Sequence, residues 1–130
     1  MGGDLRSIGH VDAVVSFVGN NPDRFNELMT GLTDDHSVVR MRSADAVEKV
    51  TRQHPELLQA HQVFLFEQLQ STTQQEVRWH LAQLMTRMSW DEEEAAVIMR
   101  VLTHWAETEV SQIVIFHSLQ ALFDLSAAHP

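Results

Sequence analysis

The sequence predicts an all-α fold assembled from pairs of helices, and three observations support this prediction. Apolar residues recur at the three- and four-residue spacings of an amphipathic helix over most of the chain, and strand-like alternation is almost absent. Two such stretches joined by a polar turn recur every 37 to 38 residues. The prolines Pro22, Pro55 and Pro130 each follow an apolar helical stretch. Because proline does not extend a preceding helix but fits the first turn of the next one, each proline indicates a break between helices.

Three copies of the second helix of the pair align by their apolar positions. Val77 lies 38 residues after Val39, and Val114 lies 37 residues after Val77. In each copy, small or apolar residues follow at spacings that keep them on one helical face. The sequence therefore predicts one domain over residues 1–130. It contains a leading helix over 7–21 and helix–turn–helix units over 22–54, 55–89 and 90–130. In the third unit, residues 103–113 predict a connection longer than the matching turns.

The first turn and the helix after it resemble the HEAT-repeat family, whose unit has two antiparallel helices, an Asp-containing turn and a Val-Arg pair opening the second helix. Here Asp34 and Asp35 precede Val39-Arg40, and the second copy has Val77-Arg78. In the third copy, Ile115 stands at the arginine position. The resemblance implies a right-handed α-solenoid of about three two-helix HEAT-like repeats with an extra N-terminal helix. It also implies a structural ladder, in which Arg40 and Arg78 reach acidic turn residues such as Asp34 and Asp35.

Charge and composition argue against several classes of partner. The formal net charge is −9, and Lys49 is the sole lysine. Because nucleic-acid binding depends on clustered Lys and Arg, neither nucleic acid nor an anionic membrane is an expected partner. Cysteine is absent, which excludes disulfides and thiolate zinc sites. The start, MGGDLRSIGH, has no signal-peptide pattern, and no apolar run approaches the ~20 residues that span a bilayer. We therefore expect a cytoplasmic protein.

No motif in the sequence indicates catalysis, a cofactor or a metal. His54 and His61 lie seven residues apart, and Glu76 and His80 lie four apart, but no H-E-x-x-H motif occurs. The acidic run 91–94 is explained by a helix start, where acids favour the helix dipole. Nucleophile-elbow, P-loop and dinucleotide-binding glycine patterns are missing from the sequence. We expect no enzyme activity, no cofactor and no metal.

Large apolar residues recur at one position that the amphipathic pattern leaves away from the core. Met41, Trp79 and Phe116 each lie two residues after the aligned valine, which at about 100° per residue turns them away from the core direction. Two interpretations remain open: neighbouring helices bury these residues, or they form a partner-binding ridge on a concave face of stacked second helices. The predicted ridge comprises Met41, Trp79, Phe116, Asp45, Glu48, Gln83, Gln120 and Phe123.

The favoured function is a non-catalytic scaffold that binds a protein or peptide partner through this concave face. Because the chain is acidic, we expect the partner to present basic or neutral groups. Two alternatives remain. In the first alternative, the chain is a segment of a longer solenoid or a self-associating unit, which includes a homodimer through an exposed repeat end. The other alternative, which the resemblance implies, is a HEAT-like lyase or other enzyme-associated module.

Overall fold

The computed structural model describes residues 13–130, and these residues are helical, without a strand. This confirms the all-α prediction for the described range. Residues 7–12 of the predicted leading helix lie outside the described residues. The elements are α1 (described over 13–19), α2 (Pro22–Gly31), α3 (Ser37–Gln53), the 3-10 helix η1 (Pro55–His61), α4 (Gln62–Ser71), α5 (Gln75–Met85), α6 (Glu92–Thr108) and α7 (Gln112–Ala128).

The helix boundaries repeat with the spacing of the aligned sequence copies. The second helices begin at Ser37, Gln75 and Gln112, which are 38 and then 37 residues apart. The helices before them differ more. The first pair uses the 10-residue α2, the second uses η1 with α4, and the third uses the 17-residue α6.

The prediction of a longer connection over residues 103–113 is wrong. Helix α6 continues to Thr108, and residues 109–111 suffice to reach α7. Trp105 is 2% exposed and anchors the last turn of α6 in the core. The hydroxyls of Thr103 and Thr108 donate to the carbonyls of Met99 and His104, both at 2.7 Å. These polar side chains are therefore satisfied within the helix, whereas their sequence pattern is equally typical of a turn.

The chain forms two compact units, and the N-terminal one ends at Leu57. Within it, α2 packs on α3, with Phe25 and Met29 of α2 buried at 1% and 2% exposure. The two helices approach closely at Gly31. A Cβ atom on that residue would lie 2.8 Å from the Cβ of Ser43. Glycine is therefore required there by the space between the helices, since no glycine in the described range has a positive φ.

The C-terminal unit begins at Leu58, and its centre is the packing of α7 against both α5 and α6. Helix α4 also contacts α5 and α6. The end of α5 is closed by Trp90, whose buried indole N–H donates to the Met85 carbonyl at 2.9 Å. Because the last carbonyls of a helix lack helical partners, this bond satisfies a group that burial would otherwise leave unpaired. The largest fully buried side chains here are Leu58, Leu65, Leu69, Val77, Leu81, Leu84, Met85, Ile98 and Leu102.

The acidic run is a helix start, as its position predicts. Helix α6 begins at Glu92 with Asp91 as its N-cap, and a capping box links Asp91 and Glu94. The Glu94 N–H donates to Asp91 Oδ1 at 2.7 Å, and the Asp91 N–H donates to Glu94 Oε1 at 3.2 Å. These carboxylates therefore cap the first turn of α6. Among the described helices, none is long and apolar enough to cross a membrane.

Candidate functional site

Helix α7 is apolar on two opposite sides. Its inner side, with Val114, Ser118, Ala121 and Leu125, is buried. Its outer side exposes large apolar side chains, and a helix that is apolar all round is ordinarily covered on every side. The outer residues and their exposed fractions are Ile113 50%, Phe116 61%, Leu119 54% and Phe123 73%. This outer surface, which we call the α7 face, is an uncovered apolar patch of the described C-terminal unit.

The spacing within the α7 face is that of a coiled-coil seam. Ile113, Phe116, Gln120, Phe123 and Ala127 follow one another at intervals of three, four, three and four residues, and all five are exposed. A repeat of 3.5 residues keeps a stripe in line along a second helix packed at a shallow angle. We call these five positions the α7 seam. Its geometry suits a helical partner lying along α7.

A shallow groove of about 250 Å³ runs beside the seam, between α5 and α7. Its walls carry one basic side chain, Arg87, and one acidic side chain, Asp124, and the formal charges of these two cancel. Asp124 accepts a hydrogen bond from the Gln120 amide at 3.3 Å. We call this the α5–α7 groove, and it is lined by Gln83, Thr86, Arg87, Phe116, His117, Gln120, Ala121 and Asp124.

The structure brings several predicted ridge residues together in the C-terminal unit. Gln83, Phe116 and Gln120 line the α5–α7 groove, and Phe123 lies on the α7 face. Trp79 differs, because it is half-buried and its indole N–H donates to His80 Nε2 at 3.2 Å. Its ring also lies against the His80 ring, with centroids 5.1 Å apart. Trp79 therefore has an internal partner and is less open than the two phenylalanines.

The predicted ridge residues of the N-terminal unit are occupied by internal contacts. Met41 is half-buried. Asp45 pairs with Lys49 at 2.7 Å on the same helix. The expectation that Glu48 belongs to an exposed binding face is corrected by the structure, because Glu48 is 2% exposed and pairs with Arg52. The reason is that α3 is buried over a broad arc, and Glu48 stands between the buried residues Val47 and Thr51.

The two aligned arginines both donate to the turn before their helix. Arg40 Nη1 donates to the main-chain carbonyl of Asp34 at 2.6 Å, and Arg78 Nε donates to that of Thr72 at 3.0 Å. Each carbonyl lies six residues before its arginine. Two sequence copies thus use one device, in which an arginine satisfies a carbonyl of the interhelical turn.

The carboxylate of Asp34 holds the start of α3. Its Oδ1 accepts from the His36 main-chain N–H at 2.9 Å and contacts the His36 ring nitrogen Nδ1 at 3.1 Å. These hydrogen bonds, the main-chain one first, lower the pKa of Asp34 below its usual 3.8. Asp35 is exposed. The carboxylate of Asp34 therefore holds the turn. The contact between Asp34 and Arg40 is made by the main-chain carbonyl of Asp34, which accepts from the Arg40 guanidinium.

Arg78 additionally reaches the next turn of the C-terminal unit. Its Nη1 lies 3.5 Å from Glu109 Oε1, and its guanidinium lies 5.0 Å from the centre of the Trp105 ring. Glu109 follows Thr72 by 37 residues, which is the shift between the second and third sequence copies. Arg78 thus joins equivalent turns of two consecutive helical pairs.

The histidines and acids of the described residues do not assemble a metal centre. No group of three or more potential ligands occurs within residues 13–130. The Glu76–His80 pair is explained by main-chain bonding, because His80 Nδ1 lies 2.5 Å from the Glu76 carbonyl. Since Nε2 of the same ring accepts from Trp79, both ring nitrogens of this buried side chain are engaged.

Burial lowers the pKa of His61 below its usual 6.5.

Sequence reasoning missed Ile113, Leu119, Arg87 and Asp124 as parts of the candidate surface. The three–four alternation along α7 contained the signal for Ile113 and the seam. Arg87 and Asp124 belong to different helices, so their presence in one groove depends on the packing of α5 against α7.

Comparison of the chain with protein-family models, with curated proteins and with solved structures finds no match in any of the three.

Proposed function

We propose that the chain is a non-catalytic protein-interaction module of the HEAT-like helical-repeat type. It binds a protein partner through the α7 face and the adjoining α5–α7 groove. The observation that carries the proposal is the exposure of Phe116 and Phe123, at 61% and 73%, on a helix whose other side is buried in the core. Clustered exposed aromatic side chains are typical anchors of protein interfaces.

The HEAT-like part of the proposal rests on two regularities. The second helices recur at intervals of 38 and 37 residues. The arginines at the family's Val-Arg position, Arg40 and Arg78, make the same bond to the preceding turn. Such a bond fastens the second helix to the turn before it in the first two units, whereas the third unit has Ile115 at the arginine position.

The surface favours an amphipathic helix as the bound element. The α7 seam supplies a straight apolar stripe, and helices bind such stripes with anchors at three- and four-residue spacing. Arg87 and Asp124 provide one charge of each sign at the groove, where polar contacts fix the orientation of a partner. Met41 and the acids of α3 belong to the N-terminal unit and are not included in this surface.

The proposal is tested with a Phe116→Glu, Phe123→Glu double variant used as bait in extracts of the source organism. We expect it to lose a specific protein that the wild-type chain retains, because two buried carboxylates oppose an apolar interface. Both sites are exposed, so the far-UV circular dichroism of the variant should match that of the wild type.

The matched control is Val63→Glu, which places the same charge on another exposed apolar residue, 71% exposed on α4. It should retain the partner. Partner recovery that is equal for wild type, double variant and control would refute the α7 face as the binding site.

A further inference from the structure

We infer that the α7 face binds the same face of a second copy of this chain, with the two α7 helices packed across a two-fold axis. The inference rests on the proposed function, since it names the partner of the same surface. Three features of α7 point to a second copy: the apolar area, the distribution of charge and the residue at the middle of the seam.

The apolar area of the α7 face approaches what a specific dimer interface needs. A phenylalanine side chain buries about 150–250 Å², so the exposed parts of Phe116 and Phe123 together present roughly 270 Å². Ile113 and Leu119, each about half exposed, raise the patch to about 450 Å², comparable to the largest patch on a typical monomer. Two copies therefore remove about 900 Å² of apolar surface from water. This total is close to the ~1,000 Å² expected of a specific interface, before any polar residue beside the seam is included.

The charge distribution favours contact between like chains at this place. The chain has a formal net charge of −9, so two copies repel each other overall. Helix α7 contains no Lys, Arg or Glu and a single aspartate, Asp124, in its 17 residues. The adjacent groove supplies Arg87 as well. Depletion of charge is the compositional mark of an interface core, and here it occurs where two acidic chains meet with least repulsion.

The seam is compatible with its own image. Gln120 is the middle one of its five positions and is the sole strongly polar member, flanked by Phe116 and Phe123. A carboxamide carries both hydrogen-bond donors and an acceptor, so the two Gln120 side chains near a two-fold axis can pair with each other. A single polar residue at a seam position is also the usual device that sets helix register. In an isologous interface, each copy supplies the same patch.

The first test is the mass of the 130-residue chain in solution, measured by sedimentation equilibrium over a range of concentrations. We expect twice the mass of one chain for the wild type and for Val63→Glu. For Phe123→Glu we expect the mass of one chain, with at least a tenfold increase in the dissociation constant. A wild type that remains monomeric up to hundreds of micromolar overturns the inference, as does a dimer that Phe123→Glu leaves unchanged.

The second test locates the contact. Because the chain contains no cysteine, Gln120→Cys introduces the sole thiol, and a short bismaleimide reagent should convert it to covalent dimers. Val63→Cys, treated identically, should remain uncrosslinked. Equal yields from the two variants, or crosslinking from position 63 alone, would place the contact elsewhere and overturn the inference.

The two proposals fail separately. Suppose that the wild-type chain is monomeric and binds a specific partner that the Phe116→Glu, Phe123→Glu variant does not bind. The second-copy inference is then wrong and the interaction module stands. If it dimerises and Phe123→Glu leaves the dimer unchanged, the second-copy inference is wrong, and the interaction module is then decided by partner recovery with the Phe116→Glu, Phe123→Glu variant.

Discussion

Arg78 Nη1 lies 3.5 Å from Glu109 Oε1, which connects equivalent turns of two consecutive helical pairs. Both side chains are about four-fifths buried, so the pair is shielded from water more than a surface salt bridge. The remaining Glu109 oxygen, Oε2, is buried without a hydrogen-bond partner in the described structure. The carboxylate therefore depends on Arg78 for compensation of its charge.

Replacing Arg78 should destabilise the protein. Arg78→Ala removes the bond to the Thr72 carbonyl and leaves the Glu109 carboxylate without its arginine, at an expected cost of about 2–3 kcal/mol. Urea unfolding followed by circular dichroism measures this cost. Adding Glu109→Gln should recover part of the loss, and an unchanged loss in the double variant would show that the pair contributes nothing.

Gly31→Ala should destabilise the N-terminal unit although alanine is the better helix former. The new methyl group would meet the Ser43 Cβ at 2.8 Å, and overpacking of this kind costs about 1–3 kcal/mol. The second substitution Ser43→Gly removes the opposing atoms and should restore part of the stability. The exposed neighbouring substitution Thr30→Ala is the control in thermal unfolding. An increase in melting temperature for Gly31→Ala alone would show that the two helices can separate freely.

Asp91→Ala should lower the free energy of unfolding by about 1 kcal/mol, because it removes the N-cap acceptor for the Glu94 N–H. Asp91→Asn retains a capping oxygen and should lose much less. Glu92→Ala, an exposed acid in the same first turn, serves as a control expected to stay within about 0.5 kcal/mol of the wild type. Equal losses for Asp91→Ala and Glu92→Ala would indicate a general charge effect in place of the cap.

His61 should make the protein less stable as the pH falls below neutrality. Burial lowers its pKa in the folded state below 6.5, so the unfolded chain binds the proton more readily. The contribution of His61 is therefore complete above pH 6.5 and is lost as the pH falls through 6.5 toward the folded pKa. Urea unfolding of wild type and His61→Gln at pH 7.5 and 5.0 measures it. The decrease in stability should be smaller in the variant, and equal decreases would contradict the assignment.

Asp34 should titrate below its usual range because its charged form accepts hydrogen bonds from His36. Its lowered pKa stabilises the folded state above pH 3.8, and this contribution is lost as the pH falls through the folded pKa. Carboxyl-carbon NMR titration of the folded protein should give a midpoint below 3.8 for Asp34. A midpoint at or above 3.8 would show that the carboxylate does not hold the turn.

The local pattern was enough to predict an all-helical chain and the start of α6. Helical periodicity depends on neighbours within a few residues, and the acidic run 91–94 marked the capped start of α6 in the sequence. The extension of α6 through Thr108 was not visible there, because Thr103 and Thr108 satisfy their hydroxyls within the helix and Trp105 is held by the core. That choice depends on tertiary burial, which a local pattern does not contain.

The candidate surface was likewise determined in part by the sequence and in part by the tertiary structure. The sequence by itself determined that α7 has apolar residues on opposite sides, and it singled out Phe116, Gln120 and Phe123 among the residues of interest. Tertiary structure alone decided that Glu48 is buried beside Arg52, that Trp79 bonds to His80, and that Arg87 and Asp124 share one groove. Helical periodicity states which residues share a face, but exposure depends on what packs against that face, and this is set by contacts between residues distant in the chain.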